Sequence, residues 1–128
     1  MRHLEGAESS LVSEQCIQCE QAIPLNSDEI SSLKKSIEGG WSIVDNHHLL
    51  RQFKFRTFQE ALEFTNRVGE IAENEGHHPV ITVGWGQADV KIFTHAIDGL
   101  SRNDFILAAK ISAIVMQTYE RNDYPATD

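Results

Sequence analysis

Glu73-Asn-Glu-Gly-His-His-Pro-Val-Ile-Thr-Val-Gly-Trp-Gly-Gln-Ala-Asp-Val-Lys-Ile-Phe-Thr-His95 holds a helix end, two strands and the turn between them. Gly76 is placed to end a helix in a left-handed conformation. Pro79 then biases His78 toward extended backbone. Pro79 to Trp85 and Asp89 to His95 read as strands joined by a turn around Gly86-Gln87. In the second, Val90 and Ile92 share one face while Lys91, Phe93 and His95 share the other. Two strands joined this tightly pair antiparallel, and that decides the sheet.

Working outward, Thr57-Phe-Gln-Glu60 reads as a capping box opening the helix that Gly76 closes. Phe58, Ala61, Leu62, Thr65, Val68 and Ile71-Ala72 recur at helical spacing along it and predict one buried stripe. Upstream, Trp41 to Asp45 and Leu49 to Phe55 form a second strand pair split by Asn46-His47-His48. A first helix starts at Asn26, with Glu29 three residues on, and stops at Gly39-Gly40. A last helix opens at Ser101, with a stripe of Phe105, Ala108-Ala109, Ser112, Val115-Met116 and Tyr119. The expected fold is α+β: a four-stranded antiparallel sheet with three helices packed on one face, in the order α-β-β-α-β-β-α. The other face is then solvated or buried against a second subunit. Residues 1–24 are polar and poorly periodic and are expected to be a weakly ordered extension. The domain occupies 25–120, and 121–128 form a tail.

The chain has 128 residues, enough for one core without staples. Its net charge of −8 argues against a nucleic-acid surface, because phosphate neutralisation needs a basic face. No stretch approaches the roughly 20 apolar residues of a membrane span, and the N-terminus has no apolar signal core. The expected location is therefore cytoplasmic. Both cysteines lie in Cys16-Ile-Gln-Cys19. One such pair supplies two thiolates where structural zinc wants four ligands. It also lacks the strand-then-helix setting of a redox motif, so the pair reads as two reduced thiols.

Three of the six histidines, His77, His78 and His95, fall in the opening segment or at its end. Histidine is the side chain that gives and takes protons near neutrality. Neighbours in an extended segment point to opposite sides, so His77 and His78 have different jobs. Glu73 and Asp104 flank the group, which suits general acid–base catalysis. Taken singly, each residue also has a bland reading: His78 in a turn, His95 at a strand end, Asp104 in a capping box, Glu73 on a solvated helix face. A three-histidine metal site ranks below acid–base use, because adjacent histidines diverge. A nucleophilic triad ranks lower still, since no serine or cysteine sits in a recognisable elbow near these residues.

Glu73-x-x-x-His77-His78-Pro79, five residues to Trp85, nine to His95 and eight to Asp104 resembles the signature of the pterin-4a-carbinolamine dehydratases. The similarity extends to Gly40-Trp41, Phe53-Lys-Phe55 and Gly99-Leu-Ser101, and spans about residues 26–120. It implies the same four-stranded, three-helix fold in dimers or tetramers. It implies dehydration of a 4a-hydroxytetrahydropterin to the quinonoid dihydropterin, without metal or added cofactor, in recycling linked to aromatic amino-acid hydroxylation. By position, His77, His78 and His95 would be the catalytic histidines. His77 and His95 would be the acids that protonate the departing hydroxyl, and His78 would orient the ring. Glu73, Pro79, Asp104 and Trp41 would support or contact substrate. Two positions depart from well-known members. Gly76 stands where they carry an acid, and Asn103 stands where they carry an arginine, with Arg102 one residue earlier. The resemblance also admits a dehydratase fold acting on another pterin, such as a molybdopterin-related compound. It further admits a dimerisation partner of transcription regulators, which would act through protein surfaces.

Overall fold

Asn26 starts the first helix as its sequence suggests. Its side chain accepts from the Glu29 amide at 2.8 Å, and the Glu29 carboxylate accepts from the Asn26 amide at 2.9 Å. In the computed structural model, which describes residues 11–37 and 39–118, this helix is α1 (Ser27–Lys34). It is followed by β1 (Ser42–Val44), β2 (His48–Lys54), α2 (Phe58–Glu75), β3 (Val80–Gly84), β4 (Gln87–Ile92) and α3 (Arg102–Thr118). Single 3₁₀ turns lie at Cys19–Gln21 and His95–Ile97. At the start of α2, Thr57 caps the Glu60 amide, but the Glu60 carboxylate accepts from Arg56 rather than closing the box on Thr57.

The sheet order is β1-β2-β4-β3 and every pairing is antiparallel. The β1–β2 turn places both Asp45 and Asn46 at positive φ, the backbone that matches the twist of a tight hairpin. The β3–β4 turn is Trp85-Gly86, one residue earlier than its glycine content suggested. Gly86 sits at φ 71 and its carbonyl accepts from the Phe55 amide. A side chain there would meet both the left-handed penalty and the Phe55 carbonyl.

One sheet face carries the core. Leu49 and Phe53 from β2 and Ala88, Val90 and Ile92 from β4 are buried against the helices. Helix α2 contributes Ala61, Phe64, Val68 and Ala72, while Phe58 and Leu62, expected in its buried stripe, are exposed. The axis of the stripe is thus rotated toward Phe64, whose ring lies 4.6 Å from Phe53 and 5.1 Å from Phe55. Helix α3 is buried nearly all round, from Phe105 through Ile106, Leu107 and Ile111 to Val115. Its far side needs a cover, and the N-terminal extension supplies part of it.

Residues 11–24 of that extension make specific contacts with the domain. Leu11 is only 1% exposed and belongs to the core. Lys110 donates to the Val12 carbonyl at 2.7 Å, and Arg102 grips Glu14 with two hydrogen bonds of 2.8 and 2.6 Å. The Asn103 side chain pairs with the Ile17 backbone in both directions, and Glu75 accepts from the Cys16 amide. A polar segment with few apolar residues is held here largely by polar contacts to its backbone and to Glu14, a mode that hydrophobic periodicity does not register. Residues 1–10, Tyr119 and the 121–128 tail lie outside the described residues.

Two outcomes follow from this packing. Leu11→Ala should destabilise the fold by about 2–3 kcal/mol in urea titration, whereas a loosely draped extension would lose under about 0.5 kcal/mol. Burial, with Glu75 beside it, pushes the Cys16 thiol up from its ordinary value to about 12. The folded state therefore holds a proton that the unfolded chain releases once the pH passes the free thiol's value. This contribution is present below that value and is lost as pH rises toward about 12. Urea midpoints measured between about pH 8 and about pH 10 should fall, and Cys16→Val should flatten the slope.

Candidate active site

The site is built where α2 ends. Gly76, at φ 66, turns the chain out of the helix, and the His77 amide still reaches back to the Ala72 carbonyl. The chain then enters β3, where Val80 is opposite Lys91. Continuing that register sets His77 across from Thr94 and His78 across from Phe93. Opposed residues share a face and successive residues alternate. His77 and Thr94 accordingly point inward, and both are buried, while His78 is exposed.

The inward group converges on Asp104, which is fully buried in the first turn of α3. Its Oδ1 accepts from His77 Nε2 at 2.6 Å. Its Oδ2 accepts from the Thr94 hydroxyl and from the Ser101 amide, both at 2.8 Å. The Ser101 hydroxyl does not cap the helix; it bonds Thr94 Oγ1 at 2.7 Å. With Thr94 donating to Asp104, Ser101 donates to Thr94. Asp104 thus fills the capping-box position and holds a histidine at the same time. Hydrogen bonds to a buried carboxylate are roughly twice as strong as neutral ones.

The other nitrogen of His77 is also occupied. Cys19 Sγ lies 3.3 Å from Nδ1, carried there by the 3₁₀ turn of the extension. His77 is only 1% exposed, so neither ring nitrogen is open to a substrate in this arrangement.

His78 and His95 are the exposed rings. His78 Nε2 meets Glu73 Oε2 at 2.6 Å across the end of α2. Glu73, His78, Pro79 and Ile81 border an open groove of about 860 Å³ whose other wall is Asn66, Gly69 and Glu70 of α2. His95 lies in a 3₁₀ turn rather than at a strand end, because β4 stops at Ile92. That turn is closed by the Thr94–Gly99 bridge, with Asp98 at positive φ. The His95 ring lies 4.2 Å from Phe93, and the His47 ring covers Phe93 at 4.7 Å. His47 Nε2 also reaches Asp98 at 2.8 Å, and His47 Nδ1 meets His48 Nδ1 at 3.0 Å. Burial, followed by Lys91 and His47, pulls the His48 imidazole below its ordinary value.

Trp41, expected among the supporting residues, lies in the core. It is 1% exposed, donates from Nε1 to Ser112 at 2.9 Å and packs edge-on against Phe53. The site contacts that sequence reading missed are Cys19 on His77 and His47 on the His95 turn. Cys19 is 58 positions from its partner, and no local signal marks such a contact. The His47-His48 doublet was visible as a hairpin turn, but only the β2–β4 pairing brings it toward His95. Asn103 and Arg102, the departures from the family pattern, clamp the extension. Among the described residues, no group of three or more His, Cys, Asp or Glu is placed to hold a metal ion.

Comparison with known proteins identifies the family. The family described as pterin 4 alpha carbinolamine dehydratase matches residues 23–114. A relative from Rubrobacter xylanophilus is 48% identical over 107 residues, covering 83% of this chain and 99% of its own length. One from Alkaliphilus metalliredigens is 45% identical over 104 residues, covering 80% and 94%. Both bear the name "Putative pterin-4-alpha-carbinolamine dehydratase". A crystal structure from Brucella melitensis, described as a transcriptional coactivator/pterin dehydratase, superimposes with a TM-score of 0.67 at 30% identity, covering 72% of this chain and 98% of that one. With the family matched across most of its length and the sheet, helices and histidine spacing in place, this chain belongs to the pterin-4a-carbinolamine dehydratase family.

Proposed function

We propose that the protein dehydrates a 4a-hydroxytetrahydropterin to the quinonoid dihydropterin, with His95 and His78 as the residues that meet the substrate. The observation that carries this reading is the split environment of the three histidines. Two rings are open to solvent beside acidic or aromatic partners, and the third is locked inside. In the reaction the C4a–O bond breaks and the hydroxyl leaves as water after taking a proton. The proton on N5 is lost, and the electrons of that bond form the N5–C4a double bond. His95, on its short turn, is assigned the proton delivered to the leaving hydroxyl. His78, oriented by Glu73, is assigned ring binding and acceptance of the N5 proton. His77 is a positioning residue: with Asp104 it fixes the His78 backbone on one side and, through Thr94, the His95 turn on the other.

The same reading places the enzyme in tetrahydropterin recycling, alongside a pterin-dependent aromatic amino-acid hydroxylase in the cytoplasm. It also covers a self-associated state, dimer or tetramer. The edge strand β3 supports association, because Val80 on it and Trp85 beside it are exposed. The alternative role as a regulatory binding partner draws support from the coactivator description of the Brucella melitensis protein. It gives no reason for two solvent-open histidines set beside an acidic and an aromatic partner.

The test is a steady-state assay with chemically generated 4a-hydroxytetrahydropterin. The protein should accelerate water loss well above the spontaneous rate. His95→Ala should lower kcat by about 100-fold or more, the usual contribution of a general acid. His78→Ala should raise KM together with a loss in kcat. No acceleration by the wild type, or full activity in His95→Ala, would overturn the reading.

A further inference from the structure

We propose that Cys19, delivered by the N-terminal extension, is a positioning residue of the site, donating its S–H to His77 Nδ1 and fixing that ring as the neutral Nε2–H tautomer. The inference rests on the dehydratase reading above and assigns a task to the Cys16-x-x-Cys19 motif, which the reaction itself leaves unused.

Asp104 decides which nitrogen of His77 carries the proton. A carboxylate is acceptor-only, so the 2.6 Å contact requires the proton on His77 Nε2. A neutral imidazole protonated at Nε2 offers Nδ1 as an acceptor. The group facing Nδ1 is the Cys19 thiol at 3.3 Å, within reach for a sulfur donor. Burial, then the charges of Asp104 and Glu20, push the Cys19 thiol up, so it keeps the proton it donates. Each ring nitrogen of this buried histidine thereby has the partner its tautomer requires.

The extension is built to hold Cys19 there. Upstream, Ile17 is pinned by both arms of the Asn103 amide, and Cys16 is tied to Glu75 through its amide. Downstream, the Leu25 amide donates to the Leu100 carbonyl at 3.0 Å. Cys19 lies between these anchors, in a turn packed against the turn that carries His95. These are the contacts of a fixed wall rather than a lid. A redox task fits the motif poorly: both cysteines are free thiols, and burial drives both away from the reactive thiolate.

The test compares full-length wild type with Cys19→Ala, Cys19→Val and Cys19→Ser by two readouts. Two-bond proton–nitrogen correlation spectra of histidine-labelled protein report the His77 tautomer directly. Dehydratase kinetics report the consequence. The wild type should show a single Nε2–H tautomer at His77. Cys19→Ala and Cys19→Val lack the donor, and should shift the Nδ1 resonance and lower kcat by about tenfold with little change in KM. Cys19→Ser retains a donor and should restore both to within about twofold of wild type. Cys19→Val fills the space that alanine would leave empty, so the comparison stands even if the alanine variant loses fold stability. An unchanged Nδ1 resonance and unchanged kcat in the valine variant would overturn the proposal while leaving the dehydratase reading intact. A wild type without dehydratase activity, but with a Cys19-dependent His77 tautomer, would overturn the dehydratase reading and leave the thiol–imidazole pair standing.

Discussion

The Asp104 carboxylate is the point on which the site hangs. It is fully buried, and it accepts from His77, Thr94 and the Ser101 amide. Those donors lie in the link from α2 to β3, just beyond the end of β4, and immediately before α3. A buried carboxylate left short of donors is costly, on the order of 3–5 kcal/mol when one partner of such a pair is removed. The three segments are therefore obliged to meet. Their neighbours in sequence, His78 after His77 and His95 after Thr94, are placed as a consequence. The two exposed histidines owe their positions to a group that neither touches.

This division of labour follows from strand alternation. A pair of adjacent histidines in an extended segment cannot share a face, so one must turn inward and one outward. The inward ring finds Asp104 and Cys19. The outward ring finds Glu73 and the open groove. His95 reaches the open side differently, through a 3₁₀ turn closed by Thr94 and Gly99 and steadied by the stack of His95, Phe93 and His47.

Local chemistry made most of the fold legible. Asn26, Thr57 and Gly76 each do at a helix end what their side chains or lack of one imply, and the alternation of Val90 and Ile92 set the buried sheet face. The strand boundaries and the stripe of α2 were less legible, because pairing length and the roll of a helix on a sheet are tertiary quantities. Phe58 and Leu62 stay exposed for that reason. The histidine segment stood out through its spacing, but the burial of His77 did not. That depends on Cys19, brought by a polar extension anchored by hydrogen bonds to its backbone and by the Arg102–Glu14 ion pair. Asn103 and Arg102, which depart from the family pattern, proved to be those anchors: one binds Ile17 and the other Glu14.

The central claim is that Asp104 and His77 form a closed framework and that substrate meets only the outward rings. A crystal structure with a dihydropterin bound tests it most directly. The account predicts the pterin in contact with His78 and His95, with the His77–Asp104 and His77–Cys19 contacts unchanged. A pterin seated on His77 Nδ1, with Cys19 displaced, would contradict it.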